Sequence, residues 1–180
     1  MTNTHFGRLC GGLLLVTLVL APVGCKKKKV RVGGADEETP RMQSVLQMGD
    51  PKIETQLVKG FHGVEAGAWR WTEKQFTVAV HPPFGASQNG AKLTMKLTVP
   101  GVVIEKLKTV SLSATAAGSA LPPETYTTAG EYFYVRDIPA SLLTGDTLRV
   151  DFLLDKAMAP SGADIRELGI IVTSVALEKK

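Results

Sequence analysis

The sequence predicts an all-β domain, a two-sheet antiparallel β-sandwich of jelly-roll kind with about eight strands, behind an N-terminal signal and a flexible tether. Three observations lead there. Lys92 to Val99 alternates without a break, with Leu93, Met95, Leu97 and Val99 on one side and Lys92, Thr94, Lys96 and Thr98 on the other, the period of a half-buried strand. Thr147 to Leu154 repeats it, with Leu148, Val150, Phe152 and Leu154 opposite Thr147, Arg149 and Asp151. Turn signals separate such runs at all-β intervals, among them Pro82-Pro83, Asn89-Gly90, Pro100-Gly101, Pro122-Pro123 and Gly145-Asp146, and no long helical period competes.

Residues 1–24 have the layout of a secretory signal. Met1 to Arg8 carries the amino terminus and Arg8 with no acid, Leu9 to Leu20 is almost wholly apolar, and small residues precede Cys25. The apolar run is shorter than the roughly 20 residues of a spanning helix, which favours removal. Lys26 to Lys29 pull the other way, because basic residues behind an apolar segment normally stay cytoplasmic. Val23-Gly24-Cys25 resembles the lipobox of bacterial lipoproteins, with Pro22 where that family prefers leucine. The resemblance implies cleavage before Cys25, acylation of its thiol and an extracytoplasmic, lipid-anchored protein in the cell membrane.

Residues 25–59 read as lipidated N-terminus and tether. Lys26, Lys27, Lys28 and Lys29 are either a solvated spacer or a partner for anionic headgroups, where each contributes about 1 kcal/mol. Gly33-Gly34, the acidic run Asp36-Glu37-Glu38, Pro40 and Pro51 have linker composition. Within it, Arg41 to Met48 can form two helical turns with Met42, Val45, Leu46 and Met48 as an apolar stripe.

Residues 60–180 carry the sandwich. Phe61 to Glu65 and Trp69 to Thr72 are its first strands, and Phe76, Val78 and Val80 mark a third. Val110, Leu112 and Ala114, Glu131 to Val135, and Gly169 to Leu177 add three more to the two runs above. A closed barrel is the competing architecture.

Charge and residue inventory narrow the function. Arg8, Lys26 to Lys29 and Arg31 take six of the 21 basic residues, which leaves 15 against 17 acidic ones from Val32 onward, a net charge of −2. A nucleic-acid partner needs a basic face that this domain lacks. With Cys25 committed to lipid, the mature chain has no disulfide, and His62 and His81 alone lack the number and spacing of a metal site. No Gly-x-Ser-x-Gly or phosphate loop occurs, and Asp151 and Asp155 read as solvated acids, so neither an enzyme nor a cofactor is expected.

Two clusters remain as ligand candidates. Trp69 and Trp71, two apart in a strand, project from one face with Arg70 on the other, either as core or as a platform for sugar rings. Asp164 and Arg166, just ahead of the last strand, are either a structural pair, with Arg166 on a carboxylate such as Glu65, or the rim of a groove shared with Arg70. Gly60-Phe61, Glu65, Trp69-Arg70-Trp71-Thr72 and Asp164-Ile165-Arg166-Glu167-Leu168-Gly169 together resemble an uncharacterised bacterial β-sandwich module, also appended to envelope glycosyltransferases and similar in outline to galactose-binding-like jelly rolls. The resemblance implies this fold and a cell-envelope setting. The expected partner is a glycan, or alternatively a protein of the envelope.

The first measurement is the intact mass of the protein from bacterial membranes, expected to match a chain beginning at Cys25 plus acyl chains, with Cys25→Ser removing both cleavage and lipid. An uncleaved chain beginning at Met1 would replace the lipid anchor by a spanning one.

Overall fold

A computed structural model describes residues 41–180. The signal, Cys25 and Lys26 to Lys29 lie outside the described residues. The fold is all-β, with nine strands in two antiparallel layers. Their ranges are β1 Val45–Gln47, β2 Leu57–Phe61, β3 Arg70–Val80, β4 Ala91–Val99, β5 Val110–Ala116, β6 Ser119–Tyr126, β7 Gly130–Ile138, β8 Leu148–Leu154 and β9 Ile171–Lys179. Two short helices, α1 Ala86–Asn89 and α2 Gly101–Leu107, sit in the connections on either side of β4. Among the described residues no helix is long and apolar enough to cross a membrane.

One layer runs β7-β4-β9, with β1 beside Ser174 to Ala176 of β9; the other runs β6-β5-β8-β3, with β2 beyond β3. β3 belongs to both. Its first residues, Arg70 and Trp71, pair with Val172 and Ile171 of β9, while Gln75 to Val80 pair with Leu153 to Leu148 of β8. Alternation places Leu93, Met95 and Leu97 of β4 against Phe76 and Val78 of β3 and Val150 and Phe152 of β8 in a closed apolar interior. Phe76 stacks on Phe152 at 4.9 Å between ring centroids, and Tyr134 of β7 meets Phe152 edge-on at 6.2 Å, linking the layers. On the side away from β3, Arg136 of β7 donates to the carbonyls of Pro122 and Pro123 in β6 and to Glu124, which ties the two outermost strands together.

The strand pattern departs from the sequence expectation in four places. The tether does not extend to residue 59: Leu46, Met48 and Ile53 are fully buried, and β1, a 3-10 turn over Pro51–Gln56 and β2 all belong to the domain. Residues 41–48 contain no helix; Leu46 and Met48, two apart, face inward from an extended segment and Val45 faces out, a period that three strand residues are too few to reveal. The strand expected to begin at Phe61 instead ends there, as β2. Chain reversal at Ala66 and Gly67, both at positive φ, leaves Glu65 and Trp69 joined by a single bridge. Finally, Pro122-Pro123 lies inside β6 and not in a turn. An edge strand tolerates residues without an N–H, and the register shift between Leu112 and Ala114 of β5 accommodates them.

Arg70, expected at a ligand rim, is 7% exposed and serves the architecture. Its Nε donates to the carbonyl of Met48 at 3.1 Å, Nη1 to the carbonyl of His62 at 3.3 Å, and Nη2 to Glu54 Oε2 at 2.7 Å. The guanidinium thereby pins the segment after β1, the 3-10 turn and the β2–β3 connection to the point where β3 meets β9. Replacing Arg70 by Ala removes the donor from the buried Met48 carbonyl and from the partly buried His62 carbonyl, and is expected to cost about 2–3 kcal/mol in denaturant melts. Glu54, whose side chain is 64% exposed, is expected to cost less than about 1 kcal/mol on replacement by Ala. Equal losses would mean that the ion pair, and not the buried carbonyl contacts, carries the effect.

Candidate functional site

The segment between β8 and β9 folds back on itself. Met158 and Leu168 exchange backbone hydrogen bonds at 2.8 and 3.0 Å, Ser161 and Asp164 do so at 2.9 and 3.2 Å, and Gly162 at φ +63 makes the tight reversal between them. The resulting arm lies against residues 62–74 through specific contacts. A nitrogen of His62, Nε2, stands 2.7 Å from the carbonyl of Glu167, Glu167 Oε1 accepts from the backbone N–H of Lys74 at 2.7 Å, and the N–H of Gly169 donates to Thr72 at 2.7 Å. Gly169 has to be glycine, since a Cβ there would stand 2.5 Å from Leu154 and 2.7 Å from the Thr72 hydroxyl.

Arg166 is fixed on two sides. Its Nε and Nη2 donate to the two oxygens of Asp164 at 3.0 and 2.9 Å, a planar fork, and its Nη1 donates to Glu65 Oε1 at 2.8 Å. Asp164 Oδ1 also accepts the backbone N–H of Arg166 at 3.0 Å. These donated hydrogen bonds, from the Arg166 side chain first and its backbone second, hold the Asp164 carboxyl well below its ordinary range, to about 2. Asp164 and Glu65 in turn hold the Arg166 guanidinium charged. All three side chains are half-exposed, and the remaining N–H groups of the fork stay available at the surface.

A pocket of about 170 Å³ opens beside this network, and it unites Trp71 with Asp164 and Arg166. Trp71 forms one wall, half-buried and packed against the core. Asp164, Arg166 and Ser161 come from the arm, while Val102 and Lys106, four apart on α2, also line it. Trp71 stands across from Ile171, which in turn stands across from Thr98, the penultimate residue of β4. The pocket thus sits at the end of the β7-β4-β9 layer from which α2 departs.

Of the other sequence candidates, Trp69 is half-buried and is not among the pocket's lining residues, and Arg70 is interior. The contribution of α2 was missed because Pro100-Gly101 reads as a turn, whereas Pro100 stands at the head of a helix whose Val103 is fully buried. A second, wider depression of about 610 Å³ crosses the outer side of the other layer, with Lys59, Gln75, Thr77, Ser113 and Asp151 among its lining. Its signal lay in the outward positions of otherwise ordinary strands. The aromatic residue there, Phe152, is buried and stacked in the core, so the depression offers no exposed ring face. Asp151 accepts from Thr77 and Arg149, and Asp155 from the backbone of Ser111. Among the described residues no group of three or more His, Cys, Asp or Glu is placed to hold a metal ion.

No family model and no curated protein matches the chain. Solved structures that overlap it include "CBM4 structure and function", at 12% identity and TM-score 0.39 over 80% of this chain and 90% of that one. A carbohydrate-binding module described for specific mannan recognition, TmCBM27, overlaps at 13% identity and TM-score 0.46 over 77% and 97%. The module CBM36, solved with calcium and xylotriose, overlaps at 6% identity and TM-score 0.38 over 74% and 98%. These are loose overlaps between all-β structures, and they transfer no ligand to this chain.

The depressed Asp164 carboxyl has a consequence for pH. Its folded value of about 2 lies below the unfolded value of about 3.9, so the ionised form stabilises the fold above pH ~4, and that contribution disappears as pH falls through about 2. The stability difference between the wild type and Asp164→Asn is expected to be flat from about pH 8 to 5 and to close toward pH 2. A difference unchanged at pH 2 would rule out the carboxylate charge as its source.

Proposed function

We propose that the chain is an exported lipoprotein, held at the membrane through acylated Cys25 with Lys26 to Lys29 against the headgroups, whose sandwich is a non-catalytic module binding a carbohydrate of the cell envelope. The observation that carries the binding half is the meeting of Trp71, Asp164 and Arg166 in one pocket. A sugar ring presents an apolar face bordered by hydroxyls. It calls for an aromatic surface with oriented donors and acceptors at its edge, in a concave site. Trp71 supplies the surface, the free N–H groups of Arg166 supply donors, and Asp164, Ser161 and Lys106 complete the rim.

Preorganisation supports the same reading. Ordering a long side chain on binding costs about 0.5–1.5 kcal/mol. Arg166 is already held by Asp164 and Glu65, so its fork is aimed before a ligand arrives. The anchoring half rests on the sequence of residues 1–29, and the net charge of −2 from Val32 onward argues against a nucleic-acid partner.

Glycan-array binding followed by isothermal titration calorimetry with the identified sugar tests this reading. Trp71→Ala is expected to weaken the identified sugar by about tenfold or more, roughly 1.4 kcal/mol, and Trp71→Phe to retain most of the affinity. Unchanged binding by Trp71→Ala would exclude this pocket. Capture of an envelope protein with no glycan bound would favour an adaptor role for the sandwich.

A further inference from the structure

The chain enters the described fold at the end remote from the Trp71 pocket. The backbone N–H of His81 donates to the carbonyl of Gln43 at 3.0 Å, and that of Leu177 to the carbonyl of Ser44 at 2.8 Å. Gln56 clamps the same point, accepting from the Gln43 N–H at 2.7 Å and donating to the carbonyls of Gln43 and Ala79 at 2.9 and 2.7 Å. β3 runs from Trp71 at the pocket to Val80 at this entry, a separation of about 30 Å at roughly 3.3 Å per strand residue.

At that entry, directly after His81, stands the loop Pro82-Pro83-Phe84-Gly85. Phe84 is 93% exposed, the most exposed of the large apolar residues among the described ones. The loop is built to hold it there. Two prolines restrict the approach, Gly85 takes φ +83, and the Ala86 N–H donates to the Pro83 carbonyl at 3.0 Å where α1 begins. The ammonium of Lys179 lies 5.9 Å from the Phe84 ring centroid. The adjacent Lys180 is paired with Asp137 at 3.2 Å, and the exposed ring is the distinguishing feature of this loop.

We infer that the Phe84 loop is the face with which the anchored domain meets the bilayer surface, the ring lodged among lipid headgroups and the Trp71 pocket turned outward. The inference rests on the membrane anchor at Cys25 proposed above. The residues from Cys25 to Arg41 span at most about 55 Å at about 3.5 Å each, so an anchored chain keeps this end of the domain near the membrane. A single exposed ring binds lipid weakly by itself, but tethering raises its effective concentration to the order of millimolar, and a weak contact then suffices to orient the domain.

The test uses the chain beginning at Cys25, coupled through its one thiol to maleimide-headgroup lipid in phosphatidylcholine–phosphatidylglycerol vesicles, with hydrogen exchange read by mass spectrometry. Exchange of residues 84–88 is expected to slow at least threefold on vesicles relative to the uncoupled chain, with residues 161–166 unchanged. Phe84→Ser, at a position open to solvent, is expected to abolish the slowing while leaving exchange in β4 and β8 as in the wild type. Unaltered exchange at residues 84–88, or equal slowing at both ends, would overturn the proposed face. Chemical coupling separates this result from the anchor itself. An unacylated Cys25 in cells would refute the anchor, while the vesicle measurement still decides whether this end docks.

Discussion

β3 serves two layers, and that constraint organises the rest of the molecule. Its front pairs with β9 and its remainder with β8, so the strand must diverge from one partner as it joins the other. The hand-over falls between Trp71 and Gln75, just after the two residues that pair with β9. Arg70 is buried at this junction and donates to the carbonyls of Met48 and His62, the first of which burial would otherwise leave without a donor. Trp71 is left half-buried on the side of the pocket. A shared strand thus produces both a buried structural cation and an accessible ring from neighbouring residues.

The arm between β8 and β9 completes the junction. Glu167 accepts from Lys74, Gly169 touches Thr72, and Arg166 reaches Glu65, each contact made to the segment leading into or through β3. Half-exposed ion pairs of this kind contribute little to stability individually. Their effect here is positional: they keep the Asp164–Arg166 fork beside Trp71. The structural reading and the ligand reading of these residues are therefore compatible, because the contacts that hold the arm also shape the pocket rim. Ile165, between Asp164 and Arg166, is 84% exposed.

Chain entry and pocket lie at opposite ends of β3, which gives an anchored form of the domain a direction. The strap through Gln43 and Ser44 is held by Gln56, His81 and Leu177, so the segment arriving from the N-terminal side is bound to one end of the sandwich. A carbohydrate reader benefits from that geometry, since its pocket is presented away from the point of attachment.

Much of the sandwich was legible from alternation, because Lys92 to Val99 and Thr147 to Leu154 each have one buried face, and a period of two survives wherever a strand divides core from solvent. The pairing of Arg166 with a carboxylate such as Glu65 was open to reading from composition, but the distance that joins them was not. β1 and β6 escaped for physical reasons. Three residues cannot display a period, and prolines mark a turn until the pairing shows that they occupy an edge. Arg70 and Trp71 alternate as any strand residues do, yet which of them is interior depends on β9 arriving from 100 residues later in the chain. By itself the sequence determined the faces of the longer alternating strands, some of the turns, and the charge that argues against nucleic acid. Only the tertiary structure decided which layer each strand joins and which rings and charges share a pocket, because those follow from long-range pairing and burial, which local residue order does not encode.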